Sequence, residues 1–339
     1  MEINARQFRV PQIYGDYWFN SDPVPVGAMG GYVLLIDFWD YTNLRCLQSL
    51  PYLREWDRRY REFGLVTIGV HTPQFPFAVN PMNVRAAVED LLIRYPVVMD
   101  NSYAVWNAFR NQFWPTRYLV DKAGYLRYMS TGESAYQNFE HAIQSLLQDA
   151  GYHAEFPFLM EPVREIDRPG AVCFRSTPDI LAGWQRGTIG NIEGFSPEST
   201  VHYEDPGVYL PGRVYLDGNW LNDRNFLRLN DPAGRGGHFV ISYEAKEMTM
   251  VIKPEGESNF QVFVQQDDAY LPAENMGEDM RRDEEGRSYF VVEKARLYRL
   301  INNREYGEHT LRLSCRSNGF AFYSVSFVSA VMPETIGKT

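Results

Sequence analysis

Residues Tyr32 to Trp39 form a continuous apolar run, Tyr32-Val33-Leu34-Leu35-Ile36-Asp37-Phe38-Trp39, broken only by one aspartate. A run that lacks alternation needs cover on both faces, which predicts a central strand of a largely parallel sheet. Helical spacing follows over Leu44 to Phe63, with Leu47, Leu50, Leu53 and Trp56 on one stripe. Leu65 to Val70 then reads as a second buried strand, so the unit is a strand, a crossover helix and a parallel strand.

The same texture continues to Gly151. Asn83 to Tyr95 reads as an amphipathic helix with Val84, Val88, Leu91 and Leu92 inward, and Pro96 to Met99 as a short strand edge. Arg117–Val120 and Tyr125–Met129 flank Asp121-Lys122-Ala123-Gly124, a hairpin signal. Ala135 to Ala150 closes the half as a helix ended by Gly151. The expected architecture is an α/β mixed sheet with helices on both faces over residues 1–151.

Helical periodicity then fades. Residues 152–211 are rich in Pro and Gly and read as an irregular connection. From about 212 to 332 short alternating segments recur: Arg213–Leu216, Phe226–Leu229, His238–Glu244, Met248–Ile252, Phe260–Gln265, Ser288–Val292, Arg296–Ile301, Thr310–Ser314 and Ala321–Val328. Short strands with few helices predict an all-β sandwich or jelly roll. Two cores suit the length of 339 residues, and an aromatic content of 15% suits sheets with large packed faces.

A net charge of −10 argues against nucleic acid, which needs a basic stripe to neutralise phosphates. The cysteines, Cys46, Cys173 and Cys315, are widely spaced and odd in number, which points to thiols rather than a disulfide framework. The histidines show no metal-ligand spacing, and no cofactor loop follows a strand, so neither metal nor cofactor is expected. No apolar run reaches the roughly 18 residues of a membrane span, and the N-terminus lacks a leader's apolar region. The chain as given reads as cytoplasmic; with a leader or anchor removed it would read as periplasmic or extracytoplasmic.

The chemistry-bearing segment is Asp37-Phe38-Trp39-Asp40-Tyr41-Thr42-Asn43-Leu44-Arg45-Cys46, where a strand ends and a helix opens, with Pro51 inside that helix. Far downstream Phe113-Trp114-Pro115-Thr116 precedes a strand. Together these residues resemble the thioredoxin-like superfamily, its TlpA-like branch, and the soluble C-terminal module of DipZ-type proteins. That pattern reads DFW-x-Y-x-C-x-x-C-x-x-x-x-P; here Asn43 takes the place of the first cysteine. Gly69-Val70-His71-Thr72-Pro73, Tyr95-Pro96-Val97 and Asp100 to Trp106 extend the match. Thr177 to Gly183, Trp220, Arg296 to Ile301 and Gly319 to Phe322 resemble the second, carbohydrate-binding-module-like sandwich of such modules.

The resemblance implies a thiol-disulfide oxidoreductase ancestry and a cis Trp114–Pro115 bond beside the active site. It implies that the nucleophilic cysteine is gone and that Cys46 is the second, resolving one. Asparagine is a good helix N-cap but cannot attack sulfur. Two readings of Cys46 stand: a reactive monothiol helped by the helix dipole, or an inert buried remnant. The first gives a monothiol oxidoreductase or peroxidase-like redoxin. The second gives a protein- or peptide-binding module, with Trp39, Trp114, Pro115 and Thr116 as the substrate-binding face. Asp37 is a candidate for tuning the thiol, and His71 a weaker polar candidate. A glycan on the sandwich, stacked on Trp184 and Trp220, is a third possibility, set against both tryptophans being core residues.

Overall fold

The apolar run ahead of the first helix becomes a strand in which all seven residues are buried. The structure, a computed structural model, describes residues 8–133, 135–153 and 155–333. The stretch inspected for a leader therefore lies partly outside the described residues. The chain divides into two units, Met1–Gly170 and Ala171–Thr339.

The first unit runs β1 (Trp18–Phe19), β2 (Val33–Trp39), α1 (Leu44–Tyr60), β3 (Leu65–His71), α2 (Pro81–Asp90), β4 (Val97–Met99), α3 (Ala104–Ala108), β5 (Thr116–Val120), β6 (Leu126–Thr131) and α4 (Tyr136–Asp149). The sheet order is β1-β4-β3-β2-β5-β6. β2, β3 and β4 are parallel, while β5, β6 and β1 are antiparallel to their neighbours. Because side chains alternate along a strand, Leu34, Ile36 and Phe38 share one core with Ile68, Val70 and Val98. Trp106 of α3 covers that face, its ring 5.8 Å from Phe38. The opposite face carries Leu35, Asp37 and Trp39. There α1 and α4 lie side by side, with Tyr52 stacked on Tyr136 at 3.7 Å and Trp56 on Phe139 at 5.2 Å. This is a mixed sheet with helices on both faces.

Helix α2 differs from its expected bounds. It starts at Pro81 because Asn80 caps it, accepting from Met82 N at 2.9 Å. It stops at Asp90 because Leu92 adopts a left-handed φ of 54° and Ile93 N bonds back to Val88 O. The apolar Leu91, Leu92 and Ile93 had extended the periodic pattern past that stop.

The second unit is all-β: β7 (Ile180–Leu181), β8 (Thr200–Tyr203), β9 (Val214–Asn222), β10 (Leu227–Leu229), β11 (Gly237–Pro254), β12 (Phe260–Gln266), β13 (Ala269–Tyr270), β14 (Arg281–Arg282), β15 (Ser288–Val292), β16 (Arg296–Cys315) and β17 (Phe320–Val328). All of these strands join one sheet of 11 strands. Segment 152–211, read as an irregular connection, thus contributes β7 and β8 to it.

Two pairs of expected strands are single long ones. His238–Glu244 and Met248–Ile252 both belong to β11, and Arg296–Ile301 and Thr310–Ser314 both belong to β16. Ala245 pairs with Gly307 and Glu247 with Asn302, so Asn303 to Tyr306 face Lys246 alone. The polar residues that looked like turns form a bulge, which bends the ladder without ending it. The bend lets the first half of β11 pair with β9 and its second half with β17. Phe239 of the first half then meets β17, the partner of the second half, lying edge-on to Phe322 at 5.1 Å.

Candidate functional site

Helix α1 starts where β2 ends, and Asn43 makes the junction. Its φ of −92° and ψ of 117° are extended, and its side chain supplies the acceptor that a first turn lacks. Asn43 Oδ1 accepts from Arg45 N at 3.0 Å and Cys46 N at 3.2 Å. Its Nδ2 donates to Gln74 Oε1 at 2.9 Å, tying the turn to the loop after β3. The fully buried Asp40 reinforces the same junction, accepting from Thr42 N and Thr42 Oγ1 at 2.6 Å and from Gln74 N at 2.5 Å. Replacing Asn43 with Ala should cost about 1 kcal/mol of stability, the usual worth of an N-cap. Urea midpoints of the two proteins check this, and an unchanged midpoint would contradict the capping role.

Cys46 lies one turn into α1 and is 3% exposed. Burial pushes its thiol well above the usual range, and the nearby Asp37 carboxylate pushes the same way. Asp37 is itself 1% exposed; burial raises it to about 7, against the pull of the Arg117 guanidinium. Arg117 is Asp37's cross-strand partner on β5 and is fully buried. It packs over the rings of Tyr136 and Phe139 at 5.1 and 5.7 Å and donates to Gly132 O. Asp37 Oδ1 and Arg117 Nε and Nη1 have no hydrogen-bond partner among the described residues. Arg117 is the site-adjacent residue the motif reading missed. Its only signal was one charge of each sign in two expected strands, and their adjacency is set by the register of β2 with β5.

The register of β2 with β5 ends at Phe38 opposite Thr116, which leaves Pro115 one step beyond the ladder, at the end of the sheet where α1 begins. The Trp114–Pro115 bond is cis. Pro115 and Thr116 are buried, Trp114 is half-buried and Phe113 is exposed. Thr116 Oγ1 donates to Phe113 O at 2.8 Å, and Trp114 Nε1 donates to Thr72 O at 3.0 Å. The Trp114 ring rests on Trp106 at 4.2 Å. Of the expected substrate-binding residues, Trp39 departs furthest. It is 2% exposed, with its ring edge-on to His71 at 5.4 Å, so it supports the site from beneath and offers no contact surface. His71 is fully buried and stacked on Tyr41, and burial lowers its pKa, which keeps it neutral.

The remaining expected residues lie in the second unit. Trp220 is fully buried, donates to Asp217 O at 2.8 Å, and packs on Phe320 and Phe322. With no ring face in solvent it is a core residue and no sugar platform. Trp184 is half-buried, and its Nε1 donates to Glu198 at 2.9 Å. Among the described residues no group of His, Cys, Asp and Glu is placed to hold a metal, and no helix is long and apolar enough to cross a membrane.

Residues 177–327 match the family described as the thioredoxin-like C-terminal domain. Protein DipZ of Mycobacterium bovis is 29% identical over 255 residues, covering 70% of this chain. Neither unit is that long, so the match crosses both. The chain is thioredoxin-like and similar to DipZ. It spans 34% of the length of the DipZ proteins. The thiol-disulfide oxidoreductase YkuV of Bacillus subtilis is 26% identical over 141 residues, 41% of this chain and 95% of YkuV. A solution structure of a thioredoxin-like protein in the oxidised form aligns with a TM-score of 0.39 at 26% identity, covering 42% of this chain and 96% of that one.

Proposed function

We propose that this thioredoxin-like chain binds polypeptide at the face between the Asn43 turn and the Pro115 loop, and that it does not exchange disulfides. The observation that carries the reading is the pairing of an amide at position 43 with a buried thiol at position 46. The Asn43 side chain takes the N–H groups that would stabilise a thiolate there. The remaining sulfur is shielded, and its proton is held by burial. A thiol in that state is a poor nucleophile, which also weighs against the monothiol enzyme.

The binding half of the reading rests on the loop. Beyond Thr116 the chain leaves the ladder, and Phe113 stands 59% exposed beside the half-buried Trp114. An extended backbone laid along this edge gains main-chain hydrogen bonds and an aromatic anchor. That use fits the family's thiol-disulfide oxidoreductases, whose substrates are themselves polypeptide.

The test is fluorescence titration of the full chain with reduced, carboxymethylated ribonuclease, an unfolded polypeptide without free thiols. Phe113→Ser should weaken binding about tenfold, the usual effect of truncating an aromatic anchor. Leu92→Ser, at another exposed apolar position, should leave it unchanged. No binding by the wild type, or binding indifferent to Phe113→Ser, would overturn the reading.

A further inference from the structure

Beyond α4 the chain stays on the first unit. Residues 156–168 run back across α4 and α1 as a strap, in which Pro157 and Pro162 disfavour helix. Side chains of the two helices grip its main chain. Gln144 of α4 donates to Pro157 O at 2.9 Å, and Arg59 of α1 to Phe158 O at 2.7 Å. The fully buried Glu140 accepts from Met160 N at 2.8 Å, and Tyr52 Oη accepts from Val163 N at 2.7 Å. The side chain of Phe158, by contrast, is 97% exposed. From Gln144 to Glu140 the contacts descend α4 toward its first turn, so the strap arrives beside the loop that joins β6 to α4.

There it takes hold of that loop. Arg164 Nη2 donates to Glu133 Oε2 at 2.6 Å, and Arg45 Nη1 donates to the other carboxylate oxygen at 3.1 Å. Arg164 is itself fixed by Asp167 at 2.6 and 2.9 Å, and Asp167 accepts from Tyr52 Oη at 2.9 Å. The residue before Glu133 reaches the candidate face. Gly132 N donates to Pro115 O at 2.8 Å, and Gly132 O accepts from Arg117. A connected series therefore runs from the strap through Glu133 and Gly132 to Pro115. The Glu133 side chain is only 12% exposed, and hydrogen bonds between ionised partners are the strong ones.

We propose that the strap is a clamp on the polypeptide face, with Arg164 as its positioning residue. Arg164 acts at one remove: it holds Glu133, Glu133 steadies its loop, and the loop holds the carbonyl of Pro115. A face fixed before polypeptide arrives loses little freedom on binding it. Coupling of this kind is reciprocal. Whatever lifts the strap weakens binding, and bound polypeptide keeps the strap down. The effect on affinity rests on the polypeptide reading; the hold on the loop does not.

Two measurements on the full chain test the clamp. Hydrogen exchange, followed by fragmentation mass spectrometry, reads the hold. Arg164→Met keeps the aliphatic stem and should speed exchange of the Gly132 N–H about tenfold, leaving the Ile68 and Val70 N–H groups of β3 unchanged. Titration with reduced, carboxymethylated ribonuclease reads the affinity. Arg164→Met and Glu133→Ala should each weaken binding about tenfold, and the double variant no further than Glu133→Ala alone, because both cut the same link. Phe158→Ser should change neither readout. Unchanged exchange at Gly132 overturns the clamp, because the strap then has no grip on the loop. Exchange that rises equally at Ile68 and Val70 overturns it too, by making Arg164 a prop of the whole unit. So does weaker binding in Phe158→Ser with exchange unchanged, since the strap would then touch the polypeptide itself. A wild type that binds no ribonuclease sinks the polypeptide reading, and exchange at Gly132 alone then decides the clamp.

Discussion

Asn43→Cys should give a chain that reduces insulin disulfides with dithiothreitol as electron source, while the wild type leaves them at the uncatalysed rate. The new sulfur would stand at the γ position of residue 43, facing the Arg45 and Cys46 N–H groups that Asn43 Oδ1 now takes at 3.0 and 3.2 Å. A thiolate there gains those N–H groups and the helix dipole, worth about 0.3–1 kcal/mol and up to about 2 kcal/mol where partly buried. At about 1.4 kcal/mol per pKa unit, that moves an ordinary thiol from about 8.5 toward 7. The introduced thiolate attacks the insulin disulfide and one insulin sulfur leaves as a thiol. Cys46, one turn on, then attacks the mixed disulfide, releases the second insulin thiol and closes a disulfide with the introduced sulfur, which dithiothreitol reopens. Asp37 can assist by taking the proton of the buried Cys46, since burial has brought its carboxyl to about 7. Turbidity of insulin reads the rate. Adding Cys46→Ala to the variant should slow turnover by removing the internal resolving thiol, since the mixed disulfide then waits for dithiothreitol to open it. An inert Asn43→Cys protein would show that more than one side chain separates this scaffold from an active one.

Asp37 should also make stability depend on pH, in the direction opposite to an ordinary carboxylate. Its folded pKa of about 7 lies above the reference value of 3.8. Between about pH 4 and 7 the unfolded chain has lost this proton and the folded chain keeps it, so folding takes up a proton and stability falls as pH rises. About three pKa units correspond to about 4 kcal/mol at most. Asp37→Asn keeps the shape and removes the titration. Urea unfolding of both proteins at about pH 4 and about pH 8 gives the comparison. The wild type should lose more stability than the variant on going up, by as much as about 4 kcal/mol. His71, held neutral by burial, shifts stability the other way at low pH, but it is common to both proteins and cancels. Parallel pH profiles would mean that Asp37 titrates as if in water.

Much of the first unit was legible because its signals are local. The unbroken apolar run of β2, the stripe of α1, the Asp121–Gly124 turn and the cap at Asn43 each act over a few residues. The second unit was legible in class but not in detail. Its longest strands carry their polar residues at a bulge, and a bulge reads like a turn until the partner strand is known. Trp220 was offered as a ligand platform because tryptophan serves both core and surface, and only the packing of Phe320 and Phe322 against it decides. The strap's hold on the Pro115 loop has no sequence motif at all. Pro115, Glu133 and Arg164 are brought together only by the fold, with β5, β6 and α4 between them in the chain.

The most direct test of the central claim is the alkylation rate of Cys46 in the native wild-type chain at about pH 7, followed by mass spectrometry with iodoacetamide. Cys173 is exposed and serves as the internal standard. A buried thiol whose proton is held by its surroundings should react at least about a hundredfold more slowly than Cys173, and should catch up only when the chain is unfolded in urea. Reaction of native Cys46 as fast as Cys173, or faster, would contradict the account and make the turn a working monothiol site.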